Sequence, residues 1–398
     1  MFKKVFNGIK EFVIEEYKFL ICMLVFYIVC TFPVNYYIVV GGGVSDVSER
    51  IVVENATKSK GSFNLSYVTE LKGSVMTYLL SYVFPTWDRE SMSDYKYSES
   101  ETYEDIAFRG ELDLESTNGS AIKNAYRLAG KDYKEISSNI YVIATFDGYD
   151  TAFKIKDELL EIDGNSFDTL DEYSKYVQKF DAGDYVEVKV KRNGDEKTIK
   201  CKIHDENGRK LFGVALQIVK KYETDPKIEI KFKPSEAGPS GGLMTTLEIY
   251  DLLVEEDITN GMVIAGTGTI DDNGNVGEIG GVKYKVLGAE DGKADVFLVP
   301  AGVNYKEALE VKKERNLDID WDSVKGLRMV HEEDGSGFTY SKAELDTVAA
   351  SINSVHDLMG MIIVDDISNV EMADTDKIGK ILSNRFAEAR NALVGSSV

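Results

Sequence analysis

Two residue types with complementary chemistry stand at defined junctions of this 398-residue chain. Ser240 lies in Ala237-Gly238-Pro239-Ser240-Gly241-Gly242, and Lys283 lies in Gly280-Gly281-Val282-Lys283. A hydroxyl and an amine suffice for covalent attack on a carbonyl, provided the amine is neutral and takes the hydroxyl proton. Bringing a lysine from about 10.4 toward neutrality takes roughly 4 to 5 kcal/mol of environment, which burial and the positive end of a helix can supply. The oxyanion formed by attack needs backbone N–H groups, which a helix N-terminus offers.

The flanking sequence predicts such placements. From Lys227 to Lys233, Ile228, Ile230 and Phe232 alternate with charged residues, as in a half-buried strand. After the serine, Leu243, Leu247, Tyr250 and Val254 recur at helical spacing, which puts Gly238-Pro239-Ser240 at a strand-to-helix turn. The second junction repeats the arrangement: a strand from Val263 to Ile270, the turn Asp271-Asp272-Asn273-Gly274, and a helix opening at Lys283 with Val286, Leu287 and Glu290.

Taken singly, Gly-Pro-Ser is a common turn and Gly-Gly-Val-Lys a common helix start. Their order and their spacing of 43 positions resemble the proteolytic domain of the Lon family of serine peptidases, with its Gly-Pro-Ser-Ala-Gly turn and Gly-Gly-Leu/Val-Lys base. Thr267-Gly268-Thr269-Ile270 resembles that family's Thr-Gly strand, which would make Thr267 the hydroxyl that orients the lysine. The resemblance implies Ser240 as nucleophile and Lys283 as base, supported by Thr267, Gly238, Pro239 and Gly241, with no cofactor and no metal. Gly241 departs from the usual alanine and should loosen the turn slightly.

The formal net charge of −22, with no basic patch, excludes a nucleic-acid partner. Cys22, Cys30 and Cys201 form no disulfide framework, and His204, His331 and His356 show no metal-ligand spacing. A Ser-His-Asp arrangement stays open but explains less than the lysine does.

At the N-terminus, Phe2, Val5, Phe6, Ile9, Phe12 and Val13 share a helical face, and an apolar run extends from Phe19 through Val40. Lys3, Lys4, Lys10 and Lys18 precede it, so the run reads as an uncleaved signal anchor with the N-terminus inside.

Beyond it, Leu71 to Phe84 reads as a short helix, Thr86 to Asp105 as a solvated excursion, and Ala121 to Ala129 as a helix. Leu160-Glu161-Ile162-Asp163-Gly164 and Ala182-Gly183-Asp184-Tyr185-Val186 resemble a bacterial PDZ domain, which binds an extended peptide as an added strand. Further elements are expected at Leu327 to Val330, Lys342 to His356, Met361 to Val364 and Asp376 to Leu393, with a surface loop at Glu332 to Gly337.

The expected fold class is α+β multidomain, with an N-terminal transmembrane helix, a PDZ-like β-rich domain and a Lon-type α/β proteolytic domain. Residues 1–16 form a cytoplasmic lead, 17–40 the transmembrane anchor and 41–130 a juxtamembrane α+β region. The PDZ-like domain takes 131–220, and 221–398 form the proteolytic domain with a helical C-terminal extension.

No Gly-x4-Gly-Lys-Ser/Thr motif is present, so the pattern resembles membrane-anchored, ATP-independent Lon-like peptidases of bacteria. The expected activity is extracytoplasmic serine endopeptidase, with peptides or unfolded protein as substrates, a single-pass membrane anchor and a homo-oligomeric assembly. A catalytically silent PDZ adaptor and a Ser-Lys amidase are the alternatives.

Overall fold

In the computed structural model, residues 12–56, 59–255, 257–259, 261–314 and 360–364 are described. The chain runs through helix α1 (Tyr17–Thr31), strands β1 (Pro33–Asp46), β2 (Ile51–Val53) and β3 (Ser62–Ser74), helix α2 (Val75–Leu80), strand β4 (Asp88–Ser91) and helix α3 (Tyr103–Leu128). Next come β5 (Asp132–Thr145), β6 (Glu158–Ile162), α4 (Leu170–Val177), β7 (Tyr185–Arg192), β8 (Asp195–Lys202), β9 (His204–Glu206), β10 (Arg209–Leu211) and β11 (Val214–Asp225). The remainder holds β12 (Ile228–Ile230), α5 (Gly242–Leu253), β13 (Val263–Gly266), β14 (Thr269–Ile270), β15 (Val276–Gly277), α6 (Val282–Asp291), β16 (Val296–Pro300), α7 (Val303–Glu314) and β17 (Gly360–Val364). The expected elements at Leu327 to Val330, Lys342 to His356 and Asp376 to Leu393, the loop at Glu332 to Gly337, and most of the 1–16 lead lie outside the described residues.

Two compact units result: Met1–Gly41 with Val68–Lys96, and Gly42–Tyr67 with Tyr97–Val398. In the first, α1 is apolar on every face beyond Lys18 and buries no residue. Its 15 residues make roughly 22 Å of helix, short of the ~30 Å of a bilayer core. Among the described residues no helix is long and apolar enough to cross a membrane. Within the expected anchor over 17–40, the helix ends at Thr31 and a strand begins at Pro33. Pro33 cannot continue the hydrogen-bond ladder, and the aromatic and β-branched run Tyr36-Tyr37-Ile38-Val39 instead pairs antiparallel with β4, in register from Tyr36 with Ser91 to Val39 with Asp88.

In the second unit, a five-stranded sheet of order β11-β5-β6-β7-β8 wraps a core of Ile140, Val142, Ile162, Val188 and Phe212, with α4 on the same face through Leu170 and Tyr173. The turn Asn193-Gly194, at positive φ, joins β7 to β8, as its sequence predicts.

The other body of this unit differs from expectation in its organisation. The stretch read as a separate juxtamembrane region supplies strands and a helix to the core that carries Ser240. Antiparallel pairing joins β2 to β12, and parallel pairing joins β3 to β13. One core holds Val47, Phe63, Ala121, Ala125 and Tyr126 together with Leu243, Met244, Leu247, Ile264 and Leu298. Helix α3 begins at Tyr103, well before the expected start at Ala121, because Thr102 and Asp105 form a reciprocal capping box.

Candidate active site

The serine turn is tied to its surroundings by backbone bonds. Gly238 sits at φ +108°, a conformation that favours glycine, and its N–H donates to the Gly110 carbonyl of α3 at 3.0 Å. The Ser240 carbonyl accepts from the Gly268 N–H at 2.8 Å and from Thr267 Oγ1 at 3.1 Å. Leu243 N–H, in the first turn of α5, returns a bond to the Gly268 carbonyl at 3.0 Å. Gly242 allows this close docking, since a Cβ there would lie 2.6 Å from Ile270 Cγ2 and 2.8 Å from the Ile270 nitrogen. At Gly241 a Cβ would meet only the flexible end of Leu65, at 3.1 Å, so the departure from alanine is sterically mild.

Helix α6 places the two lysines of Val282-Lys283-Tyr284-Lys285 on different sides. Gly281, at φ +70°, turns the chain into the helix, and Asn304 of α7 fixes the approach by accepting from Ile279 N–H at 2.8 Å and donating to its carbonyl at 2.9 Å. Lys285 is 3 % exposed, and its Nζ donates to Thr267 Oγ1 at 3.1 Å. Lys283 is half-buried and lies with its ammonium 5.1 Å from the centre of the Tyr284 ring. The amine that the structure brings to Thr267 is therefore that of Lys285, and Lys283 is not brought there.

Residues two apart on a helix point in nearly opposite directions. A sequence signal for Lys285 existed: it falls three residues after Val282 on the buried stripe of Val282, Val286 and Ala289.

Thr267, fully buried, thus joins the two halves, donating to the serine's carbonyl and accepting from the lysine. The threonine, the lysine and the serine turn form one hydrogen-bonded chain that leaves the Ser240 side chain half-buried. Further along α5, Glu248 and Asp251 are buried. Burial, with Asp251 and Asp46 as negative neighbours, pushes the Glu248 carboxyl up to about 8. Burial likewise raises Asp251 to about 6, opposed by the bond it accepts from Ile258 N–H at 2.9 Å.

Helix α3 also borders the PDZ-like sheet. Val142 exchanges bonds with the β6 side through Asp157 and Lys156, so by alternation the Ile218 carbonyl faces away from β5. Ser116 Oγ donates to it at 3.2 Å, and Asp113 accepts from Gln217 Nε2 at 2.8 Å. The β11 edge upstream of Ile218 adjoins a cleft of about 580 Å³ bordered by Tyr97, Phe146, Tyr149, Arg209 and Gly213.

Two segments of the chain match known families. Residues 130–203 match the PDZ domain model, and residues 227–333 match the Lon protease (S16) C-terminal proteolytic domain. The chain carries a PDZ domain and a Lon-type proteolytic domain.

Among solved structures, it is similar to the PDZ domain of an SdrC-like protein from Listeria monocytogenes, with 25% identity, a TM-score of 0.20, and coverage of 21% of this chain and 92% of that one. The PDZ domain of an SdrC-like protein from Listeria innocua matches with 25% identity, a TM-score of 0.19, and coverage of 20% and 92%. No curated protein matches the chain. A proteolytic domain beside a PDZ domain fits peptide or protein substrates.

Proposed function

We propose that the chain is an ATP-independent serine endopeptidase in which Ser240 is the nucleophile and Lys285 the general base. The observation that carries this reading is the buried Lys285 amine on Thr267, whose hydroxyl also holds the Ser240 carbonyl. Lys285 takes the Ser240 proton as Oγ attacks the scissile carbonyl and returns it to the leaving amine; water then hydrolyses the acyl-enzyme. Three amides of the turn, those of Gly238, Gly242 and Leu243, are already bonded to protein carbonyls. The oxyanion therefore falls to the Ser240 and Gly241 amides at the start of α5.

The PDZ domain presents substrate by pairing an extended segment with β11 upstream of Ile218, and without a motor the enzyme cuts peptides and unfolded segments. A serine-directed phosphonate should label wild-type protein at Ser240 and leave Ser240→Ala unlabelled and inactive on an unfolded protein. Cleavage by Ser240→Ala would reject the assignment, and an unlabelled, inactive wild type would favour a silent adaptor.

The same reading includes a single-pass membrane anchor formed by the apolar N-terminal segment that contains α1, with Lys3, Lys4 and Lys10 inside and the proteolytic domain outside. Protease added to intact cells expressing the chain should digest the proteolytic domain. Full protection of that domain would place it inside and discard this localisation.

A further inference from the structure

Ser66 is fully buried, and its Oγ has no hydrogen-bond partner. Leaving a buried hydroxyl unpaired costs free energy, so each such group calls for a reason. Its position in the sheet supplies one. In the parallel pairing of β3 with β13, Asn64 lies opposite Ala265 and Leu65 opposite Gly266. Ser66 follows Leu65 as Thr267 follows Gly266, and side chains alternate along both strands, so Ser66 shares a sheet face with Asn64, Ala265 and Thr267.

That face is the one α6 covers, because Ala265 packs in one core with Val282, Val286 and Ala289 of α6. Helix α6 also reaches past β3: a Cβ at its Gly288 would lie 2.9 Å from the Gly43 Cα of β1, and β3 lies between β13 and β1 in the sheet. Ser66 therefore lies in the layer where α6 delivers the Lys285 amine to Thr267.

We infer that Ser66 is a positioning residue for Lys285, its Oγ accepting a hydrogen bond from the lysine when the amine carries the proton taken from Ser240. The inference rests on the Ser240–Lys285 reading above. A neutral amine has two N–H bonds, and an ammonium has three. The structure shows one of these directed to Thr267. With Lys285 only 3 % exposed, the added N–H is shielded from solvent and gains from a protein acceptor, and the unpaired Ser66 hydroxyl lies on the same face. The proton moves from Ser240 Oγ to Lys285 Nζ and later to the leaving amine, so Ser66 gains and loses none.

The test uses full-length protein and compares Ser66→Ala, Ser66→Thr and Lys285→Ala on one unfolded substrate. Ser66→Ala should lower kcat about tenfold with KM unchanged, corresponding to one lost hydrogen bond. The acid limb of its pH profile should move to lower pH, because the protonated amine has lost an acceptor. Its melting temperature should hold or rise, since no satisfied bond is removed, and Ser66→Thr should recover the acid limb. Wild-type kcat with an unmoved acid limb in Ser66→Ala, while Lys285→Ala is inactive, overturns the role of Ser66 and leaves the dyad standing. Activity in Lys285→Ala overturns both.

Discussion

Lys285→Ala should reduce peptidase turnover about a thousandfold, whereas Lys283→Ala should stay within about twofold of wild type. The larger figure is the scale of a lost general base. The smaller follows from position: Lys283 lies against Tyr284, two residues around the helix from the amine that meets Thr267. Because Lys285 is buried, truncation could disturb packing, and Lys285→Arg provides the control. It keeps the stem and the positive charge but cannot deprotonate, so a folded, inactive Lys285→Arg isolates the loss of a neutral amine. The measurement is kcat/KM on an unfolded substrate, with circular dichroism to confirm folding. An inactive Lys283→Ala beside an active Lys285→Ala would falsify the assignment.

The second large effect concerns stability. In the folded protein the Glu248 carboxyl is held near 8, above its ordinary value of 4.5. A raised folded value means that the fold favours the protonated acid. The stabilisation is fully present below about 4.5 and is lost as pH rises through about 8. Asp251, held near 6, acts with the same sign over a lower range. Wild-type unfolding free energy should thus fall between about pH 5 and pH 9 by something on the order of 4 kcal/mol. Glu248→Gln, which stays neutral, should remove most of that slope and be the more stable protein at the alkaline end. Urea titrations at both ends would decide it, and parallel declines in the two proteins would reject the role of Glu248.

How far the sequence revealed this site depends on the range over which each signal acts. The serine turn was legible because its evidence is local: an alternating strand, a Gly-Pro-Ser break and an apolar helical stripe adjoin one another. The lysine that meets Thr267 lies two residues beyond the one its motif suggests, because short-motif spacing ignores helix rotation, whereas the buried stripe through Val282 and Val286 includes Lys285. The roles of β3 and α3 left no local trace. Phe63 pairs with Ile264 across about two hundred residues, and nothing near either one records the other. Between Phe19 and Val40 apolar content suits helix and strand alike, and the change from one to the other falls at Pro33.

The PDZ domain enters the chain through β5 and leaves through β11, and Asp132 and Asp225 at its two ends are partners in the same ladder. The module is thus spliced into the proteolytic fold through a neck two strands wide, which imposes an order on folding. During synthesis, Phe63 and the Ala121–Leu128 face of α3 emerge long before Leu243, Ile264 and Leu298, with which they share a core. Pairing of β5 with β11 brings the two halves of the proteolytic fold to within a strand's width of each other. Closing that neck shortens the effective loop and lowers the entropy cost of the β3–β13 pairing. The domain proposed to present substrate in the finished protein would thus also hold these two halves together while the protein is being made.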